Sequence, residues 1–148
     1  MKKILFFLFL TLPLILLAQQ ESPGRLYGLF IMDDNEFRTL VNSKRSQVKM
    51  SENEITEICR IIGNKKAEYF MLNEKANQSI KYGANGLPIG KADPEIMRDL
   101  RIVKNMVYDS IYKILGEEKY ELLRRTLIDE NGRKNSEALH KSSKILKK

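Results

Sequence analysis

Met50-Ser51-Glu52-Asn53-Glu54-Ile55 opens the stretch that decides the fold, which runs on to Ile80, Lys81 and Tyr82. Ser51 stands where an N-cap hydroxyl belongs, and Glu54, three residues on, is placed to reach back to the Ser51 amide. Met50 before the cap and Ile55 after it form a hydrophobic staple that fixes how the chain enters the helix. Apolar residues then recur at Ile55, Ile58, Ile62, Tyr69, Leu72, Ala76 and Ile80, in helical steps that place them on one face. Gly83 reads as the left-handed cap at the far end. The spacing predicts a helix over 51–82, a rod of roughly 45 Å. Gly63-Asn64 falls inside it, where a glycine costs about 1 kcal/mol against alanine. Because the stripe resumes in phase at Tyr69, the pair reads as a weak point or bend and not as a stop.

Downstream, Gly83 to Ala92 carries three glycines and a proline and reads as a helix-reversing connector, with Leu87 and Ile89 tucked back against the helices. Its spacing fits neither a P-loop nor a dinucleotide fingerprint, and no apolar strand precedes it. Asp93-Pro94-Glu95 starts the next helix with an acidic cap, a proline at the first helical position and a glutamate in the first turn. Its stripe is Ile96, Leu100, Val103, Val107, Ile111 and Ile114, predicting a helix over 94–115. Leu115-Gly116-Glu117-Glu118-Lys119 reads as a further helix start or a sharp bend. Tyr120, Leu123 and Leu127 mark a third, shorter helix over 117–131, stopped by Asn131-Gly132. The remainder, 132–148, is Lys- and Ser-rich and reads as a frayed or disordered basic tail. The fold class that follows is all-α: a long antiparallel helical hairpin with a third shorter helix, residues 50–131 forming the domain.

Upstream, Asp33 and Asp34 cap a short helix carrying Phe37, Leu40 and Val41, and Asn42 to Lys49 is a basic connector. Leu26 to Met32 is apolar without a period; a lone strand makes no sheet, so it reads as an irregular or helical arm folded onto the helices. Residues 19–49 thus form an N-terminal arm with a short helix. Met1-Lys2-Lys3, an apolar run from Ile4 to Leu17 and a small residue at Ala18 read as a secretory signal peptide over 1–18, cleaved after Ala18. The run is shorter than the roughly 20 residues a membrane span needs, so the mature chain is expected in the periplasm or outside the cell.

Taking Lys2 and Lys3 from the 26 basic residues leaves 24 against 19 acidic ones, and the charges are interspersed along helical faces. That pattern is a solvated surface more than a polyanion site, and export argues further against nucleic acid. Acidic protein segments and anionic envelope surfaces stay open as partners. The single cysteine, Cys59, has no partner for an internal disulfide and lies on the apolar stripe as a small buried hydrophobe. One histidine, His140, and one cysteine cannot furnish a metal site. Met32, Met50, Met71, Met97 and Met106 read as core filler. The paired carboxylates Asp33-Asp34 and Glu117-Glu118 sit where capping explains them; Asp129-Glu130 has no such account. No nucleophile turn is present, so neither a catalytic activity nor a cofactor is expected.

The two helix starts share a frame: a long apolar residue, a small capping residue, positions rich in acid, then a long polar side chain. That frame resembles the LTxxQ motif carried twice by the Spy/CpxP family of periplasmic helical proteins. Met50, Ser51 and Glu54 stand for its Leu, Thr and Gln in the first copy. In the second, Leu115 matches, while Gly116 replaces Thr and Lys119 replaces Gln, so the reciprocal cap is lost. The resemblance implies a thin, curved antiparallel homodimer whose basic and apolar concave face holds unfolded proteins without ATP, in envelope stress. Lys65, Lys66, Arg98, Arg101 and Lys104, which alternate with the apolar stripes, are the candidate rim of such a client-binding face. The alternative is a structural or regulatory adaptor that docks one envelope partner.

Overall fold

The computed structural model describes residues 23–145, with side chains through 140; the expected leader over 1–18 lies outside them. The described chain is all-α, with helices α1 (Asp34–Ser43), α2 (Arg45–Val48), α3 (Glu52–Gln78) and α4 (Pro94–Ile145). Asp33 caps α1 through a full capping box with Glu36, the Glu36 amide donating to Asp33 Oδ1 at 2.8 Å. Lys49, at φ 52, closes α2 in the left-handed region and turns the chain into the next cap. α3 begins at Ser51 with the reciprocal box in place: the Ser51 amide donates to Glu54 at 2.7 Å, and the Glu54 amide to Ser51 Oγ at 3.3 Å. Met50 and Ile55, the staple pair, are both buried in the core. α3 runs unbroken through Gly63-Asn64, where the helix faces open space.

α3 and α4 lie antiparallel. Glu54 meets Lys119 near one end, Tyr69 meets Lys104 further along, and Ser79 meets Asp93 at the turn. The main core gathers at the base, where Ile55, Ile58, Cys59 and Ile62 of α3 pack with Val107, Ile111, Tyr120, Leu123 and Leu127 of α4. Phe37, Val41 and Val48 of α1 and α2 close one side. The arm residues Leu26, Leu29, Phe30 and Met32 are also buried in it. Their lack of period follows from their geometry: the segment is irregular and is held by what it touches. The Tyr120 hydroxyl donates to the Gly24 carbonyl at 2.6 Å, Tyr108 to Leu26 at 3.3 Å, and Lys66 Nζ to Met32 at 2.7 Å. Phe30 stacks on Tyr69 with ring centroids 4.2 Å apart.

Four elements depart from the sequence expectation. α3 stops at Gln78, short of Gly83, because Ser79 ends it from within: its hydroxyl donates to the Ala76 carbonyl at 2.7 Å and accepts the Asp93 amide at 2.9 Å. The connector then closes on itself, Gly83 N–H donating to Leu87 and Ile89 N–H to Lys81, which leaves Leu87 and Ile89 exposed and not tucked against the helices. Asn131-Gly132 does not stop α4. The Asn131 amide group donates to the Leu127 carbonyl, and Arg133 pairs with Glu130 and Glu137 across the position, so local ion pairs carry the helix over a residue of poor propensity. Residues 132–145 are therefore helix and not a frayed tail. Finally, Met71, Met97 and Met106 are exposed; only Met32 and Met50 of the five are core. Away from the base the stripes are buried or half-buried between the two helices, while Phe70, Met71, Met97, Ile102 and Met106, which lie off them, are exposed.

Candidate functional site

The two copies of the repeated frame meet. Lys119 Nζ lies 2.7 Å from Glu54 Oε1, so the lysine that cannot cap its own helix start instead grips the glutamate that caps the other. That hydrogen bond, ahead of the one from the Ser51 amide, holds the Glu54 carboxyl below the usual carboxylate range. Between them Leu115 is buried, and Gly116 breaks α4 at φ 70, ψ 173. Only glycine adopts that backbone readily, so the small residue at this position sets a kink where a threonine would set a cap. The junction shapes the helices; Ser51, Glu54 and Lys119 are engaged with one another.

The rim residues separate. Lys65 pairs with Glu68 at 2.7 Å, Lys66 is spent on the arm carbonyl of Met32, and Arg98 lies 3.7 Å from Asp99. Arg101 and Lys104 come together, with Arg25 of the arm, on a groove of about 440 Å³ between the arm and α4. Tyr27, Phe30, Tyr69, Met97, Leu100 and Tyr108 supply its apolar surface. Lys104 Nζ sits 5.5 Å from the Tyr69 ring centroid, a cation–π distance. Burial, and then the charge of Arg25, lower the Lys104 ammonium below its ordinary value. Burial pushes the Tyr108 phenol up to about 12. None of the groove's lining residues is acidic, and among the described residues none of Arg25, Arg101 and Lys104 has a carboxylate partner.

A second groove, of about 650 Å³, lies between α1, α2 and the end of α4. It is larger but self-neutralising: Lys134 lies 3.6 Å from Glu36, and Glu130 accepts from Arg133, which holds its carboxyl low. Glu130 thereby gains the structural account its sequence position lacked. Sequence reasoning missed Arg25, Tyr69 and Tyr108 as neighbours of Arg101 and Lys104: Tyr108 lies one helical turn from Lys104, Tyr69 arrives by the pairing of α3 with α4, and Arg25 only by docking of the aperiodic arm.

Among the described residues no group of His, Cys, Asp and Glu is placed to hold a metal ion, and no helix is long and apolar enough to cross a membrane. His140 is exposed and Cys59 buried, with burial raising its thiol. Comparison with protein-family models, curated proteins and solved structures finds no match to this chain.

Proposed function

We propose that the chain is an exported, ATP-independent protein-binding module of chaperone type, active in the cell envelope as a homodimer. One observation carries the reading. Phe70, Met71, Met97, Ile102 and Met106, all in the two-helix half of the hairpin, are 40–50% exposed. Large apolar side chains kept in water are a cost to a monomer and a contact surface to a partner. Three of the five are methionines, whose flexible thioethers adapt to unlike surfaces. Arg98 and Arg101, also exposed, supply charge beside them. The capped helix starts and their resemblance to the LTxxQ frame agree with this reading.

The test is suppression of aggregation of two unrelated unfolding proteins by residues 19–148, without nucleotide and near stoichiometry, with sedimentation of the same sample. Suppression of both, lost on replacing Phe70, Met97 and Met106 by serine, is the expected result. No suppression at any ratio overturns the proposal, and one tight partner in place of several weak ones would favour the adaptor.

A further inference from the structure

We infer that the groove between the arm and α4 is a binding site for a small anionic amphiphile, a carboxylate or phosphate head on a short apolar body. Three observations carry it, and none depends on the client-binding reading above. The charges lining the groove are all of one sign, from Arg25, Arg101 and Lys104, with no acid among the described residues that line it. Cations gathered without a counter-ion repel one another, and Arg25 is close enough to weaken the charged form of Lys104. A bound anion offsets both that repulsion and the desolvation of the ammonium by its own attraction.

Asn105 apart, the rest of the lining is apolar and aromatic: Tyr27, Ile31 and Met97 are exposed, and Phe30 stacks on Tyr69. A charged head with a polar tail would leave Tyr27, Ile31 and Met97, the exposed apolar side chains of the lining, in water; an apolar tail covers them. The volume, about 440 Å³, falls within the range of small-molecule sites. The self-neutralised groove beside α1 offers no comparable attraction, which is why the smaller of the two is the site.

Calorimetric titration of residues 19–148 with decanoate, decyl phosphate, decanol and decyltrimethylammonium, each kept below micelle formation, tests this. Saturable one-to-one binding of either anion is expected, with decanoate alone pointing to a fatty-acid source and decyl phosphate alone to a phospholipid-derived one. Decanol and the cation should bind at least about tenfold more weakly, 1.4 kcal/mol per tenfold. Lys104→Met, which keeps the apolar stem, and Arg101→Gln should each weaken the anion about tenfold, while Arg60→Gln, whose partner is Glu57, should not. Circular dichroism of each variant confirms that the fold is intact. Equal binding of decanol, indifference to both Lys104→Met and Arg101→Gln, or no saturation by either anion overturns the inference. So does displacement of decanoate by an acidic peptide at lower concentration, which would reassign the groove to protein segments. Anion binding without aggregation suppression would separate this site from the proposed function.

Discussion

Replacing Gly116 with L-alanine should destabilise the protein by about 2 kcal/mol, although the added methyl group meets nothing. No atom lies within 4 Å of where it would stand, so packing contributes neither gain nor loss. The backbone decides the outcome: φ 70 with ψ 173 is a region held almost entirely by glycine, and other L-residues there cost about 1–3 kcal/mol. Straightening α4 would relieve the strain and recover helix propensity, at most about 1 kcal/mol. It would also rotate Tyr120, Leu123 and Leu127 away from the core, and each is fully buried. Uncovering even one loses about 1.5–3 kcal/mol, so the kink persists and the strain stays. For a chain of this length the expected fall in Tm is roughly 5–10 °C. D-alanine, made by chemical ligation, is the decisive partner. Its mirror-image preference fits this backbone, and it should be neutral or stabilising by about 0.4–1 kcal/mol through the unfolded chain. Thermal melts of both, with Gly63→Ala as a helical control expected to gain stability, provide the assay. If L-alanine leaves Tm unchanged, or D-alanine lowers it equally, the reasoning from the kink is wrong.

Lys119→Met should cost about 1 kcal/mol at neutral pH, as a partly exposed ion pair does. Because Glu54 is depressed in the folded state, that stabilisation is present above the unfolded value near 4.5 and lost as pH falls through the lower folded one. Urea midpoints of variant and parent should therefore converge in acid. Burial raises the Tyr108 and Tyr120 phenols, so the folded state holds their protons and loses stability as pH climbs above their ordinary value of 10; Tyr120→Phe should blunt alkaline unfolding while costing about 1 kcal/mol at pH 7 for the bond to Gly24. Gly132→Ala should raise stability by about 0.5–1 kcal/mol, since the position is exposed helix interior with open space around it; a destabilisation seen in urea unfolding would count against continuity of α4 there.

Local chemistry was legible and tertiary chemistry was not. Ser51 with Glu54, and Asp33 ahead of Phe37, are starts written into a few adjacent residues, and the structure has caps at both. The break at Gly116 was visible for the same reason. Ends were harder. Gly83 and Gly132 are breakers by propensity, yet the first was pre-empted by a serine bonded to Asp93 and the second overridden by Arg133 and its two glutamates. The methionines misled because residue type was read over position: Met71, Met97 and Met106 each stand one residue off a stripe position, beside Leu72, Ile96 and Val107, and face water. Of the expected rim, Arg101 and Lys104 share a groove with Tyr108, one helical turn from Lys104, but Arg25, Tyr27 and Tyr69, which complete it, lie on segments far apart in sequence, and no short-range pattern links them.

The hydrogen bonds that hold the arm span 82 and 96 residues. During vectorial synthesis the arm is made before the long helices, but its acceptor carbonyls at Gly24 and Leu26 wait for Tyr120 and Tyr108 to emerge. At ribosomal speeds of about 5–20 residues per second, that interval is roughly 5–20 s. Throughout it Leu26, Leu29, Phe30 and Met32 lack the half of their core that residues 107–127 supply, and the nascent chain presents the kind of apolar segment that holdases recognise.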